Sequence, residues 1–139
     1  MTNTALPLVS VLTPVYNGAA YIEECMKSIL QQTYPNWSYT IVDNCSTDET
    51  PEIVERIAHT DSRIRYVRFE EFVEANENHS RAAAAMEPES VYCKFVQGDD
   101  WIYPECLERM VERAESADSI GIVGSYRLHQ DTVELVGLP

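Results

Sequence analysis

The sequence predicts a single three-layer α/β/α domain, in which a mainly parallel, open β-sheet lies between helices on both faces. Short apolar runs rich in β-branched or aromatic residues alternate with segments whose apolar residues recur every three or four positions. Such alternation implies βαβ units, whose connections are right-handed. The 139 residues contain no repeat and no Pro/Gly-rich linker, so residues 1–139 are expected to form one domain.

The elements follow from these two patterns. High β-propensity predicts strands over Leu8–Leu12, Tyr39–Val42, Ile64–Val67, Val91–Val96 and Ile120–Val123. Helical spacing or helix propensity predicts helices over Tyr21–Leu30, Ile53–Ala58, Ser80–Met86 and Pro104–Ala114. Parallel sheets bind ligands at the carboxyl ends of their strands, so the segments that directly follow the strands are where the site is expected.

Charge and composition exclude several functions. Ten basic residues against 23 acidic ones give a net charge of −13, which repels nucleic-acid backbones. An anionic nucleotide would need a metal ion, a helix N-terminus or a few Arg side chains. The four cysteines form no C-x-x-C pair, so free thiols in a cytoplasmic protein are expected. Every apolar run is far shorter than the roughly 20 residues of a membrane span, so none is expected in this segment.

The segment after the first strand runs from Thr13 to Gly18. Asn17 and Gly18 together are typical of a turn or helix cap, and Tyr16 offers a flat ring that could stack on a base. The alternative is an ordinary strand-to-helix turn with a packing tyrosine. This segment alone leaves both interpretations open.

The segment after the second strand holds Asp43 and Asn44. Their oxygens could accept from a pyrimidine imide or a ribose hydroxyl. The following residues, Ser46 to Asp48, are explained completely as a cap of the next helix. That cap does not require Asp43 or Asn44, and the pattern leaves their function undecided.

The segment after the fourth strand places Asp99 and Asp100 behind Gly98. Two adjacent carboxylates near a core repel each other unless a cation or a donor offsets the repulsion. Mg²⁺ and Mn²⁺ take one or two carboxylates together with substrate phosphate oxygens, which suits such a pair. Successive side chains point different ways, so one carboxylate could hold the ion while the other accepts from a ribose, and Gly98 would let a ligand approach. The alternative is a solvated turn.

Four motifs taken together resemble the inverting family 2 glycosyltransferases of the GT-A fold. They occur in order, from about Leu8 to Val123, and they cover Val9–Gly18, Ser28–Pro35, Ile41–Asp48 and Phe95–Trp101. The resemblance implies a Rossmann-like GT-A sheet and transfer of a sugar, with inversion, from a nucleotide-diphosphate donor to an acceptor hydroxyl. It further implies Mn²⁺ or Mg²⁺ as cofactor, a UDP-sugar as the first candidate donor, and a carbohydrate or lipid-linked acceptor in polysaccharide or cell-envelope glycan biosynthesis.

The resemblance also implies site residues. Asp99 would face the ribose, and Asp100, in the DxD-type motif, would ligate the metal, with Asp99 as its neighbour in the metal site. Arg81 matches the position of an Arg-Asn pair and would contact the base or the diphosphate, although a plain surface charge explains it as well. The nucleotide pocket implied by the resemblance consists of Pro14, Tyr16, Asn17, Asp43, Asn44, Arg81 and Asp99.

The sequence departs from this family pattern in several places. Asn44 replaces the second of two acids, Gln97 replaces the acid that usually opens the acidic motif, and Ala82 replaces the Asn that often follows Arg81. The resemblance places the acceptor-binding part and the general base beyond Pro139, so a C-terminally truncated domain without its base is expected. A nucleotide-sugar-binding module that is not catalytically complete is the main alternative.

Other readings of the sequence are weaker. A nucleotidyltransferase would need a Gly- and Lys/Arg-rich phosphate loop near the first strand, and the sequence has none there. A dehydrogenase would need G-x-G-x-x-G after a strand, and no predicted strand is followed by this motif. The histidines (His59, His79 and His129) lack ligand spacing and are left out of the metal site. Trp37 and Trp101 are expected to pack, and the acidic stretch from Glu70 to Glu77 is expected to form a solvated loop.

Overall fold

The structure is a computed structural model that describes residues 5–129 and 132–136. Its strands are Val9–Val15 (β1), Trp37–Asn44 (β2), Ile64–Phe69 (β3), Tyr92–Phe95 (β4), Ser125–His129 (β5) and Thr132–Val136 (β6). Its helices are Ile22–Leu30 (α1), Thr50–Ala58 (α2), Ala75–Ala84 (α3) and Cys106–Glu115 (α4). The first four strands form one parallel sheet in the order β3-β2-β1-β4, which confirms the predicted parallel α/β sheet.

The core lies on both faces of this sheet. On one face, Val11 and Ile41 belong to the cluster that includes the apolar residues of α1, α2 and α4. On the other face, Leu12 and Val42 pack with Ala82 of α3. Because successive strand residues point to opposite faces, buried side chains on both sides require a cover on both sides. The predicted three layers are therefore confirmed.

The prediction of a fifth strand over Ile120–Val123 is wrong. Residues 120–124 are irregular, and Ile122 is 80% exposed. Gly121 and Gly124 make an extended conformation entropically costly, and a strand without a hydrogen-bonded neighbour is not stable. The chain instead forms an antiparallel hairpin of β5 and β6, which the sequence pattern did not predict.

Several helix boundaries also differ from the prediction. α3 begins at Ala75, five residues before the alanine-rich run, because polar residues supply its first turn and Asn78 is buried against the sheet. Pro104 lies in a turn before α4 instead of in the helix, and its carbonyl accepts from the Thr33 amide at 2.8 Å. That bond ties the start of α4 to the end of α1.

Two further expectations concern cysteines and membranes. All four cysteines are free thiols, as the absence of paired spacing predicted. Among the helices in the described part of the chain, none has the length and apolar character needed to cross a bilayer.

Candidate functional site

The predicted site residues gather at the carboxyl end of the sheet. β1 and β2 pair in register so that Val15 lies opposite Asp43, and adjacent strands are about 4.8 Å apart. Gly98 packs on the same Val15, because a Cβ at position 98 would lie 3.1 Å from its Cγ2 atom. Tyr16, Asp43 and Asp99 are therefore brought around one residue, as expected from strand ends.

The close packing at Gly98 changes the interpretation of this glycine. A Cβ there would crowd Val15, whereas its 3.7 Å distance from the Cδ1 atom of Ile22 would be an ordinary van der Waals contact. That Gly98 also lets a ligand approach stays a prediction. The structure adds a packing reason for this glycine, because the acidic turn lies directly against Val15 of β1.

Asn17 locks the loop after β1 to the loop after β2. Its φ of 48° is in the left-handed region that Asn tolerates. Its backbone amide donates to Ser46 Oγ at 2.9 Å, and its side-chain Oδ1 accepts from the Thr47 backbone amide at 2.8 Å. Asn17 thus joins the loop after β1 to the loop after β2.

Asp48 does more than the predicted helix cap. The N-cap position of α2 is Glu49, which makes no side-chain cap bond. Asp48 Oδ1 accepts from the amide and the hydroxyl of Thr50 at 3.0 and 2.6 Å, and its Oδ2 accepts from the Ala19 amide at 3.0 Å. Partial burial raises the pKa of the Asp48 carboxyl. The hydrogen bonds from Thr50 and Ala19 together lower it by more, so the pKa is lowered overall. The cap explanation was therefore incomplete.

Asp43 is completely buried and already has partners. Its Oδ1 accepts from the Ser46 amide at 2.9 Å, and its Oδ2 accepts from the Tyr66 hydroxyl at 2.5 Å. Arg68 Nε lies 3.9 Å from Oδ2. Burial and the Asp43 charge raise the pKa of Tyr66, which keeps the phenol protonated as a donor. A carboxylate has about four lone-pair sites, so Asp43 keeps acceptor capacity beyond these bonds, but at 0% exposure a ligand reaches it only after a neighbouring side chain moves.

Asn44 holds the loop that follows β3. Its Nδ2 donates to the Val73 carbonyl at 2.7 Å, while its Oδ1 accepts from the Val73 amide at 2.9 Å. An aspartate here could not donate to that carbonyl. The departure from a second acid therefore has a structural cause that the sequence did not reveal.

Arg81 reaches from α3 toward the same loop. Its Nη1 donates to the Glu71 carbonyl at 3.0 Å and lies 3.4 Å from Asn44 Oδ1, while its guanidinium sits 4.1 Å from the Phe69 ring centroid. The side chain is half-buried beside the two polar residues that end β2. Arg81 is therefore held beside the carboxyl ends of β2 and β3.

Tyr16 and Phe72 form an exposed aromatic pair beside the carboxyl end of β1. They are 48% and 52% exposed, and their ring centroids are 4.8 Å apart in an edge-to-face arrangement. Phe72 lies within the acidic stretch for which the sequence predicts a solvated loop, and its pairing with Tyr16 is not predicted. An exposed aromatic residue between acidic neighbours was the available signal.

The acidic turn follows β4, at one edge of the sheet. The Asp99 side chain is exposed and that of Asp100 is half-buried. The Asp100 amide donates to the Gln97 carbonyl at 3.0 Å, which closes the turn. These two carboxylates are the most accessible of the predicted acids.

Pro14 explains why β4 leaves the sheet where it does. The Val96 amide still bonds to the Leu12 carbonyl at 3.0 Å, as a parallel ladder requires. The next ladder bond would come from residue 14 to the Val96 carbonyl, but proline has no N–H. The Thr13 hydroxyl makes this bond instead, at 2.8 Å. Pro14 thus ends the β1–β4 ladder and releases the acidic turn.

Gln32 holds the backbone that follows the acid pair, and the sequence analysis missed it. This buried side chain donates from Nε2 to the Tyr103 carbonyl at 2.7 Å and accepts at Oε1 from the Leu107 amide at 3.0 Å. Ser28 Oγ, one turn earlier, accepts from the Ile102 amide at 3.2 Å. Two polar residues four positions apart, Ser28 inside α1 and Gln32 just after it, continue the spacing of the apolar helix face and were the available signal.

His79 meets the acidic turn from α3. Its Nε2 lies 3.0 to 3.1 Å from the side-chain amide of Gln97, and its ring stacks on Phe95 with ring centroids 5.8 Å apart.

The two tryptophans differ from each other. Trp37 is buried as expected, whereas Trp101 is 47% exposed against Tyr103, with ring centroids 4.8 Å apart.

Comparison with known proteins decides which family this site belongs to. The family model described as Glycosyl transferase family 2 matches residues 10–138. The chain belongs to glycosyl transferase family 2. The resemblance carried by the four motifs is thereby confirmed, and the chain is a glycosyltransferase-family domain with the N-terminal part of the GT-A fold.

Relatives and solved structures agree with this family. TuaG of Bacillus subtilis, whose name assigns it to teichuronic acid biosynthesis, is 36% identical over 136 residues, which are 97% of this chain and 53% of TuaG. A crystal structure of Staphylococcus aureus TarS 1–349 with UDP matches at a TM-score of 0.68 and 25% identity, over 83% of this chain and 38% of that one. The mannosyltransferase PcManGT from Pyrobaculum calidifontis, with GDP-Man and Mn²⁺, matches at a TM-score of 0.69 and 27% identity, over 87% of this chain and 35% of that one.

The glycosyltransferase domain spans about half of the length of TuaG and less of the two matched structures. Within the described ranges, there is no group of three or more His, Cys, Asp or Glu side chains that could hold a metal ion. A pair of carboxylates nevertheless fits a hard ion that arrives with a diphosphate, because Mg²⁺ typically takes one or two carboxylates and completes its shell with phosphate and water oxygens.

Proposed function

We propose that this glycosyltransferase domain binds a nucleotide-diphosphate-sugar donor, and that its natural protein transfers the sugar to an acceptor hydroxyl with inversion and with the assistance of Mn²⁺ or Mg²⁺. The observation that carries the proposal is the accessible Asp99–Asp100 pair at the carboxyl end of a parallel sheet, next to the strand ends that hold Tyr16 and Asp43. Ligands of open α/β sheets bind at this end.

The nucleoside part of the donor is assigned to the β1 and β2 ends. Tyr16 supplies an exposed ring for stacking, and Asp43 retains acceptor capacity beside it. Asn44 and Arg81 complete the wall of this pocket, and Asp99 accepts from a ribose hydroxyl. TarS was solved with UDP and PcManGT with GDP-Man, so a UDP-sugar is the first candidate and a GDP-sugar the second.

The diphosphate part of the donor is assigned to the acidic turn. Asp100, with Asp99 beside it, would hold the divalent ion, which would stabilise the negative charge of the departing diphosphate. Arg81 contributes a fixed positive charge from α3. Because the chain carries a net charge of −13, these local positive charges must overcome repulsion of the donor. A strong dependence of binding on the metal follows.

The acceptor is proposed to be a carbohydrate or a lipid-linked glycan of the cell envelope. TuaG is named for such a polymer, and it is similar to this chain over nearly all of the chain's length. An inverting transfer also needs a carboxylate that takes the proton from the acceptor hydroxyl as it attacks the anomeric carbon. No described side chain is assigned to this step.

The test is a calorimetric titration with UDP, GDP, CDP and ADP, each with and without Mn²⁺. We expect one of these nucleotides to bind at least about tenfold more tightly with Mn²⁺, which corresponds to about 1.4 kcal/mol. If Mn²⁺ strengthens the binding of none of the four nucleotides, the proposed donor site is wrong.

A second function is favoured by the partial coverage of the relatives. Since the chain corresponds to 53% of TuaG, these 139 residues could bind the donor without completing the transfer. Release of free sugar and transfer to an added glycan, followed in the same samples, distinguish the two functions. Donor binding without transfer supports the binding module, and robust transfer supports the complete enzyme.

A further inference from the structure

Three polar side chains lie completely buried beneath the acidic turn. Thr13 of β1, Cys25 of α1 and Tyr39 of β2 are each 0% exposed, within a cluster that is otherwise mainly apolar. Buried polar groups are destabilising unless they form hydrogen bonds. Their partners therefore show what the three groups do, and none of the proposed nucleotide contacts uses them.

The hydrogen bonds of these three groups lead to the backbone carbonyls of Val96 and Gln97. Thr13 Oγ1 uses its single proton to donate to the Val96 carbonyl at 2.8 Å. The Tyr39 hydroxyl, 2.9 Å from Thr13 Oγ1, is then the donor to Thr13. The Cys25 thiol donates to the Gln97 carbonyl at 3.4 Å and lies 3.7 Å from the Tyr39 oxygen. All three groups thus converge on two successive carbonyls.

Those two carbonyls stand directly before the acidic turn. Residues 96 and 97 follow the end of β4, and Pro14 cannot supply the next ladder bond to Val96. Burial raises the pKa of the Cys25 thiol, and the negative charges of Asp100 and Asp99 raise it further, so the thiol stays protonated as a donor. The Thr13 hydroxyl therefore replaces the missing ladder bond at Val96. The Cys25 thiol adds a second donor to the Gln97 carbonyl, which also accepts from the Asp100 amide.

We infer that Thr13, Tyr39 and Cys25 are positioning residues that fix the backbone of the acidic turn, and through it the placement of Asp99 and Asp100 toward a nucleotide-bound cation. The importance of that placement for binding rests on the proposed function. The fixing of the turn is a property of the protein alone and can be measured without any ligand.

The turn has other attachments that act at different points. Gln97 contacts His79 through its side chain, and the Ile102 amide bonds to Ser28 after the acid pair. Neither attachment involves the Val96 carbonyl. Loss of the Thr13 bond should therefore loosen the start of the turn while the rest of the fold keeps its contacts.

The first experiment is hydrogen exchange of the amides of residues 97–101 in the protein without ligand. Thr13→Val removes the donor and keeps the shape, and we expect about fivefold faster exchange, the change that loss of one net hydrogen bond gives. Tyr39→Phe removes the group that orients Thr13, and we expect about threefold faster exchange. Thr13→Ser keeps the hydroxyl and should restore slow exchange.

Tyr34→Phe is the matched control. Tyr34 is also buried, and its hydroxyl donates to the Pro7 carbonyl at 2.6 Å, just before β1 and so at the opposite end of that strand. Its loss should lower global stability without changing exchange at residues 97–101. If Tyr39→Phe and Thr13→Val change that exchange no more than Tyr34→Phe does, the inference is overturned.

The second readout is Mn²⁺-dependent binding of UDP and GDP to the same variants. We expect Thr13→Val to weaken it about fivefold, Thr13→Ser to restore it, and Tyr34→Phe to leave it unchanged. If exchange at residues 97–101 increases and this binding does not weaken, the turn is fixed but its placement does not serve the cation. If wild-type protein binds neither nucleotide in a Mn²⁺-dependent way, the proposed function fails, while the exchange data still decide whether Thr13 and Tyr39 fix the turn.

Discussion

Two polar pairs follow strands of the same sheet, and they differ in accessibility. Asp43 and Asn44 end β2 and are 0% and 2% exposed, whereas Asp99 is exposed and Asp100 is half-buried after β4. The first pair forms its hydrogen bonds within the protein. Asp43 accepts from a tyrosine hydroxyl and a serine amide, and Asn44 donates to the Val73 carbonyl. Similar residue types near the ends of two strands are therefore bonded within the protein in one place and left accessible in the other.

The position of each strand in the sheet accounts for this difference. β2 lies between β1 and β3, and the loop after β3 folds over its end through the Asn44–Val73 bonds. β4 lies at an edge, where Pro14 ends the ladder with β1 and the chain turns outward. An interior strand end is enclosed by its neighbours, while an edge strand end is left open to a ligand.

The largest effect is expected from Asp43→Ala. It leaves the Tyr66 hydroxyl and the Ser46 amide without their buried acceptor, so we expect a loss of roughly 3 kcal/mol in the free energy of unfolding. Asp99→Ala is the matched control and should change stability by less than about 0.5 kcal/mol. Urea denaturation of both variants makes the comparison. Equal losses would show that the two pairs do not differ as described.

Asn44→Asp tests whether the amide of the buried pair is required. An aspartate would face the Val73 carbonyl without a proton to donate, so we expect a loss of roughly 2 kcal/mol in stability, partly offset by Arg81. Asp100→Asn, the opposite exchange in the open pair, should leave the urea midpoint unchanged. An Asn44→Asp variant as stable as the wild type would contradict the assigned Val73 bonds.

Tyr16→Ala should affect binding more than stability. Stacking of a base on an aromatic ring contributes about 1–3 kcal/mol, so we expect about tenfold weaker nucleoside binding even without metal. Phe72→Ala, which removes the edge-to-face partner at 4.8 Å, is the comparison and should weaken binding less. Wild-type nucleoside affinity in Tyr16→Ala would restrict the site to the diphosphate.

The smallest effect is expected from Asp48→Asn, at about 1 kcal/mol in stability, because the new side-chain amide keeps the oxygen that accepts from Thr50 but cannot also accept from the Ala19 backbone amide. The pKa of the Asp48 carboxyl is lowered in the folded protein, so its stabilisation is present above the unfolded pKa of about 4 and is lost as the pH falls through the folded pKa. The difference between wild type and variant should therefore be largest near neutral pH and shrink below about pH 4. Denaturation at pH 7 and at pH 3 measures it, and a constant difference would contradict the lowered pKa.

Much of the fold could be predicted from local pattern. The alternation of apolar runs with helical spacing gave the first four strands and the three layers, because burial on both faces leaves a continuous apolar signal. The prediction of a fifth strand was wrong, because a four-residue apolar run with a glycine does not indicate whether a neighbouring strand exists to pair with it. The predicted start of α3 was wrong because the first turn of this helix is polar.

The site was predictable only in part. Strand ends showed where Asp43, Asp99 and Asp100 would gather, since parallel strands share one carboxyl edge. The partners of buried polar groups were not predictable, because they join residues far apart in the sequence. Gln32 bonds to Tyr103, for example, and no spacing rule connects two residues at that separation.

The most direct test of the cation site is the binding of a nucleoside diphosphate to Asp100→Asn, with and without Mn²⁺. The substitution keeps the size of the side chain and removes its charge, so the urea midpoint should stay at the wild-type value. We expect the Mn²⁺-dependent part of binding to disappear, while the metal-independent part, assigned to Tyr16 and Asp43, is retained. Undiminished Mn²⁺-dependent binding in this variant would contradict the assignment of Asp100 as the metal ligand.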